Sequence, residues 1–185
     1  ILTQVFTSVV SERTSVLERS EEVQRQLVDI VLSGGGVADV AEAVSELFSG
    51  VALVTTADGR VVSEAGDPAH RSLVRGSPAF HPSGRFRTEA SPEGLHQLDG
   101  LPGSHAVVAI RGGRIDHGRL AIFHPERTLT RSDLAVLERA ATVAAVSLTK
   151  EIAITAVESK YRGDFLRDVL AGRAGGSEEV LAHAH

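Results

Sequence analysis

Apolar residues recur with a helical period at both ends of the chain and with a strand period between them. In the first 32 residues, which contain neither Gly nor Pro, apolar side chains fall at strict seven-residue spacing, at Leu2, Val9, Val16, Val23 and Ile30. That column is typical of a helix-helix seam, although a clean coiled coil needs a second apolar column and this one is interrupted. The pattern predicts a long helix that pairs with another helix, such as its copy in a second subunit, and that ends at glycines 34–36.

A second long helix is predicted from Thr130 to Gly172. Thr130 or Ser132 can cap its start, and Asp133 stands three residues after Thr130, as in a capping box. Its apolar positions form one stripe, at Leu134, Leu137, Ala141, Ala144, Leu148 and Ile152. The stripe fits a helix that covers a domain core, or one that also forms a dimer seam. Across both long helices, the candidates for that seam are Leu2, Val9, Val16, Val23, Leu137, Ala144, Leu148 and Ile152.

The middle of the chain reads as one short helix and two hairpins. Apolar positions from Val37 to Phe48 predict an amphipathic helix closed by Gly50. A buried strand at residues 51–55 and a strand at residues 60–65 flank the turn signal Asp58-Gly59. A second hairpin is predicted at residues 105–111 and 114–124. This order predicts an α+β domain, in which an antiparallel sheet carries helices on one side.

The segment from Gly66 to Ser104 has a different character, because it holds five of the six prolines. It is expected to lack continuous helix and central strands, with short strands near residues 85–89 and 95–98. Long loops of this kind are often binding loops, so a small-molecule pocket is predicted between this segment and the sheet. Its arginines suit a carboxylate or another anion, or they are solvated loop residues. The candidates for ligand binding are Arg75, Phe80, His81, Arg85, Phe86, Arg87 and His96.

Composition and charge exclude several classes of function. A net charge of −5 argues against a broad phosphate-binding surface, so DNA binding by these residues themselves is not expected. The absence of cysteine removes disulfides, thiolate nucleophiles and most structural zinc sites. No unbroken apolar run approaches the roughly 20 residues that a membrane helix requires, and neither a leader nor a membrane partner is expected. No catalytic or nucleotide-binding motif is present, and the eight histidines are scattered, so no enzyme, metal or cofactor is predicted.

Two motifs carry a family resemblance. The string from Lys160 to Gly172, which contains Phe165-Leu166 and ends in Leu170-Ala171-Gly172, resembles a linker of the type F-L-x-D-L-L-x-G. That linker follows a GAF-like sensor domain in bacterial transcription regulators of the PucR family, which includes the sugar-diacid (CdaR-like) regulators. Upstream, a helix followed by a V-x-T-x-D-G-x-V hairpin beginning at Val54 is similar to the start of GAF and PAS sensor domains.

The resemblance implies a division of the chain and a function. Residues 1–32 would be an N-terminal signalling and dimerisation helix, and residues 33–160 a GAF-like sensor domain including its C-terminal helix. Residues 161–185 would begin a linker to a helix-turn-helix region beyond this sequence. The implied protein is a cytoplasmic homodimer that responds to a small-molecule effector and contacts DNA only through that further region. The alternative is a GAF-like module that binds no ligand and serves dimerisation or interaction alone.

Overall fold

The computed structural model describes residue 25 and residues 28–30, 32–100 and 103–170, with side chains described as far as residue 167. The heptad positions Leu2, Val9, Val16 and Val23 lie outside the described residues, as does the predicted linker beyond residue 170. Residues 28–30 and 32 are helical. Gly34 follows in the left-handed region at φ 85°, and the amide of Gly35 donates to the carbonyl of Ile30 at 2.7 Å. The predicted glycine-terminated helix end is therefore confirmed.

The described elements form a five-stranded antiparallel sheet with helices. Helix α1 covers Val37–Phe48, strands β1 and β2 cover Val51–Thr55 and Val61–Ala65, and helix α2 covers Pro68–Arg75. They are followed by strands β3 (Gly94–Gln97), β4 (Ser104–Gly112) and β5 (Ile115–His124), and by helix α3 (Arg131–Leu170). The strand order is β2-β1-β5-β4-β3, and every neighbouring pair is antiparallel. The predicted α+β class is confirmed.

Both faces of the sheet are covered, which explains why all five residues of β1 are buried. Successive side chains of a strand point to opposite faces, so Ala52 and Val54 face one side and Val51 and Leu53 face the other. The helix-side core joins the first pair to α1 and to the first half of α3. The loop-side core joins the second pair to Val74 of α2 and to the loop that follows it. The prediction of helices on one side only is therefore incomplete, since α2 packs on the opposite face.

The first half of α3 is a core helix. The predicted capping box is present, because Thr130 N–H donates to Asp133 Oδ2 at 2.7 Å and Asp133 N–H donates to Thr130 Oγ1 at 3.3 Å. Leu137 and Ala144 are fully buried against the helix-side core. The seam candidates Leu137 and Ala144 are thus occupied within the same chain, whereas Leu148 is half-buried and Ile152 is 54% exposed.

The chain divides after Leu148 into two compact units, and α3 runs through the division. In the second unit, the helical residues from 149 to 164 are all exposed. Among the described residues, α3 is the helix whose length and composition would allow it to cross a membrane, with a mean hydropathy of 1.4 over its most apolar stretch. The core helix of a soluble protein meets the same criterion.

The proline-rich segment differs from its prediction in two places. It contains the eight-residue helix α2, whose N-cap Asp67 accepts hydrogen bonds from the amides of Ala69 and His70 at 2.9 and 3.1 Å. Pro68 occupies the first turn, where its missing N–H costs nothing. The strand predicted near residues 85–89 is reduced to a single bridge between Phe80 and Phe86, because tight turns follow Phe86. The strand predicted at residues 95–98 is present, one residue earlier, as β3.

Candidate functional site

An aromatic cluster fills the loop side of the sheet. Phe80 and Phe86 are 5% and 1% exposed, and their ring centroids lie 5.7 Å apart. Phe123 of β5 completes the cluster, at 6.2 Å from Phe80 and 5.9 Å from Phe86 in tilted and edge-on contacts. Such contacts are favourable for aromatic pairs. The two rings proposed to line a ligand pocket therefore lie in the loop-side core and pack against the sheet.

Arg75 ties α2 to the neighbouring strand and loop. Its Nε and Nη2 donate to Glu64 Oε1 and Oε2 at 3.0 and 3.1 Å, which is a bidentate ion pair. Nη1 donates to the carbonyl of Gly84 at 2.9 Å, and the guanidinium lies 5.1 Å from the centroid of the Phe80 ring. All three nitrogens of this candidate thus have partners within the domain.

The other arginine candidates of the loop and His81 also bond within the domain. Arg85 pairs with Asp58, and Arg87 Nε donates to the carbonyl of Phe80 at 3.2 Å. A hydrogen bond from the Thr56 hydroxyl, followed by the charge of Arg85, lowers the pKa of Asp58. His81 Nε2 lies 3.0 Å from Glu89 Oε1. An anionic ligand at these residues would have to compete with these intramolecular acceptors.

The sheet brings two histidines together that the sequence separates. His96 of β3 lies opposite His105 of β4, with ring centroids 5.0 Å apart, and the His105 ring stacks on Phe123 at 4.8 Å. His96 Nε2 is 2.6 Å from the carbonyl of Pro92, so this nitrogen carries a proton and donates. The candidate His96 is therefore held against the strand by its own loop.

His105 is the most perturbed titratable group of this region. It is 4% exposed, and its Nε2 lies 3.1 Å from the hydroxyl of Ser91. Burial, reinforced by the charge of His96, lowers the pKa of His105 to about 4, so the ring is neutral at pH 7. Its Nδ1 is buried without a hydrogen-bond partner in the part of the chain that the structure describes. A buried polar atom of this kind normally meets a protein group, a water or a ligand.

Sequence reasoning missed His105 and Ser91 as members of a site. The eight histidines are scattered along the sequence, but the predicted strands at residues 95–98 and 105–111 flank a short connection. A hairpin register drawn from that connection would have placed His96 near His105. Within the described ranges, no group of three or more His, Cys, Asp or Glu residues is arranged to hold a metal ion.

Comparison with solved structures identifies the architecture. The GAF domain of a putative sensor histidine kinase from Pseudomonas syringae pv. tomato superimposes with a TM-score of 0.53 at 13% sequence identity. The match covers 83% of this chain and 98% of that structure. The chain has a GAF-type fold.

A second solved GAF domain is also similar to the chain. It comes from an Acinetobacter phosphoenolpyruvate-protein phosphotransferase and matches with a TM-score of 0.47 at 13% identity, over 72% of this chain and 94% of that structure. No protein-family model matches the sequence, and no curated protein matches it. The GAF-type fold therefore rests on the first of these two matches, and at 13% identity that match shows the fold alone.

Proposed function

We propose that this GAF-type domain is a dimerisation and interaction module of a PucR/CdaR-type transcription regulator, and that α3 relays its state to a DNA-binding region outside this sequence. The observation that carries the proposal is the exposed apolar surface on the second half of α3. Ile154, Val157 and Tyr161 are 48%, 55% and 74% exposed and recur at three and four residues. That spacing places them on one stripe of the helix, as in a helix-helix seam.

The proposed partner of this stripe is the same stripe in a second copy of the chain. Burying a large, fully exposed apolar side chain contributes about 1.5–3 kcal/mol, and these three side chains are 48–74% exposed, so covering them in two paired helices favours association. In a homodimer, both helices would emerge together toward the attached DNA-binding region. The proposed regulator is cytoplasmic and acts by binding, not as an enzyme, as the family resemblance implies.

Measuring the mass of the full 185-residue chain in solution tests this proposal. Replacing Ile154 and Val157 together by Lys should weaken self-association by at least about a hundredfold, because the dimer loses four half-exposed apolar side chains from its seam. Ser159→Lys is the matched control, since it adds a lysine to the exposed opposite side of the same helix. A monomeric wild-type chain, or a double variant that remains as dimeric as the control, would refute the seam.

A second candidate function is sensing of a small-molecule effector on the loop side of the sheet. The observation that favours it is the unpartnered, buried Nδ1 of His105, which a polar ligand group would satisfy. Thermal-shift titration against purine catabolites, sugar diacids and amino acids tests it. A ligand bound only to the folded state adds about 2.7 kcal/mol at a hundredfold excess over Kd, which corresponds to a shift of several degrees. If no compound in the panel shifts the unfolding midpoint and the chain is a dimer in solution, sensing is refuted and the interaction module is supported.

A further inference from the structure

Strand β4 extends beyond its neighbour and has an open edge. β3 pairs with residues Ser104 to Val107 of β4, whereas β4 continues to Gly112. The chain enters β3 at Gly94, whose φ of 128° is a conformation that favours glycine. Immediately before it, the carbonyl of Pro92 accepts a hydrogen bond from His96 at 2.6 Å, which holds the incoming loop against β3. Residues 108–112 therefore have no strand beside them on this side within the described part of the chain.

The register shows which backbone groups face this open edge. The amide of Leu98 donates to the carbonyl of Gly103 at 3.1 Å, so these two residues form a hydrogen-bonded pair at the end of the hairpin. Antiparallel ladders alternate between hydrogen-bonded and non-hydrogen-bonded pairs, so every second residue of β4 from Gly103 onward turns its N–H and C=O toward β3. By this alternation, Ala109 and Arg111 direct their backbone groups to the edge where β3 is absent. A continued β3 would have placed Pro92, which has no N–H, opposite Ala109.

A cavity of about 400 Å³ lies beside this edge. Val108 and Ala109 of β4 line the cavity on one side, and Leu134 and Glu138 of α3 line it on another. Glu93, at the end of the loop, also lines it. The space is large enough for the side chain of one or two residues of an added strand. Val108 and Leu134 of its lining belong to the helix-side core, and Val107 belongs to the loop-side core.

The side chains around the cavity select the chemistry of an occupant. Ile110 faces the helix-side core, and residues directly opposite each other in a sheet share a face. A residue added opposite Ile110 would therefore point toward α3, where it meets the half-buried Leu134 and the exposed Glu138. Glu138 forms no ion pair with the residues that the structure describes, whereas Glu93 is already bonded to Arg111. A Lys or Arg side chain suits this position, because its apolar stem can pack on Leu134 while its cationic tip pairs with Glu138.

We propose that the open edge of β4 binds an extended peptide segment of a partner protein as an added strand, with a Lys or Arg side chain of that segment in the cavity beside Glu138. Ala109 and Arg111 supply the main-chain hydrogen bonds, and the cavity supplies selectivity, as in other cases of strand addition. This site is independent of the α3 stripe, so it holds whether or not the chain dimerises.

Amide hydrogen exchange in the full chain tests the open edge itself. The N–H groups of Ala109 and Arg111 should exchange much faster than those of Val108 and Ile110, whose amides point to β5. Equal protection of all four amides would overturn the assignment of the edge. This experiment needs no ligand, so its outcome does not depend on whether a peptide binds.

The peptide site is tested by nuclear magnetic resonance with a defined probe. The probe is a heptapeptide of alternating threonine and valine with a central lysine, acetylated at its N-terminus and amidated at its C-terminus. The control peptide is identical except for a glutamate at the central position. We expect saturable shifts at Ala109, Arg111 and Glu138 with the lysine peptide, and weaker binding of the glutamate peptide. No shifts at millimolar peptide, or shifts confined to the opposite sheet edge at β2, would overturn the proposal.

Two variants separate the parts of the site. Glu138→Gln should weaken binding of the lysine peptide about two- to fivefold, which is the range of an exposed ion pair, whereas Glu42→Gln on α1 should leave it unchanged. Ala109→Pro should abolish binding while the domain still folds, because the N–H that it removes is outside the β4–β5 ladder. An unchanged affinity for both peptides in a folded Ala109→Pro variant would exclude strand addition.

Discussion

Arg75 and Glu64 form a bidentate ion pair that joins α2 to β2, with both N···O distances between 3.0 and 3.1 Å. Their side chains are 33% and 18% exposed, so the pair lies at the border of the loop-side core. The same guanidinium rests on the Phe80 ring and bonds the carbonyl of Gly84. One arginine therefore connects a helix, a strand, a loop and an aromatic cluster.

Arg75→Ala should lower the free energy of unfolding by about 1–3 kcal/mol. It leaves the partly buried carboxylate of Glu64 without its partner and removes packing from Phe80. Urea denaturation at pH 7 measures the change. Arg85→Ala is the matched control, because its pair with Asp58 is about half exposed on both sides and should contribute less than about 1 kcal/mol. Equal losses in the two variants would show that Arg75 has no special structural role.

The sequence predicted the elements whose signals are local. The capping box at Thr130, the buried strand β1 and the end of the N-terminal helix at Gly34 each depend on neighbouring residues, and each is found in the structure. Helix α2 was missed although Asp67-Pro68 is also a local start signal. Five prolines in the surrounding segment favoured a loop, yet a proline in the first turn is compatible with a helix.

The candidate site was harder to predict because its contacts join distant positions. Arg75 and Glu64 are 11 residues apart, and Arg85 and Asp58 are 27 residues apart. No periodicity relates such pairs, since they meet only after α2 and the loop fold onto the sheet. The sequence thus indicated which residues cluster in the loop, but it did not reveal that their guanidinium groups have acceptors within the domain.

Gly59→Ala should destabilise the domain by at least about 2 kcal/mol. Gly59 has a φ of 80°, and a Cβ there would lie 2.0 Å from the carbonyl oxygen of Phe86. The left-handed conformation alone costs an alanine about 1–2 kcal/mol, and the clash would also strain the hydrogen bond from Phe86 N–H to the Gly59 carbonyl. Chemical denaturation measures the loss.

Gly76→Ala is the control for this substitution, because Gly76 has a φ of −79° and room for a Cβ. An alanine there restricts the unfolded chain and should stabilise the domain by up to about 1 kcal/mol. A Gly59→Ala variant as stable as the Gly76→Ala variant would contradict the close packing of the loop on the hairpin turn.

Leu137→Ala should cost about 2–5 kcal/mol, because the side chain is fully buried between α3 and the sheet and its removal leaves a cavity. Leu73→Ala on α2 is the control, since Leu73 is 50% exposed and should cost less than about 1 kcal/mol. Thermal unfolding of both variants provides the comparison. If Leu137 instead contributed mainly to a seam between copies, its loss would weaken self-association at unchanged stability of the monomer.

The stability of the domain should fall as the pH decreases from about 6.5 to about 4, in part because of His105. The folded domain holds the pKa of His105 at about 4, whereas the unfolded chain has the ordinary value of 6.5. Between these values the unfolded state binds the proton and the folded state does not, so protonation favours unfolding. At about 1.4 kcal/mol per pKa unit, the full contribution is about 3 kcal/mol and is complete below pH 4.

Replacing His105 by Phe removes this titration and keeps a ring against Phe123. Urea denaturation of the wild type and His105→Phe at a series of pH values isolates the contribution, because all other groups titrate in both proteins. The wild type should lose about 3 kcal/mol more than the variant between pH 7 and pH 4. Parallel stability curves would mean that the pKa of His105 is the same in the folded and unfolded states, and its buried contacts with Ser91 and Phe123 would then need a different explanation.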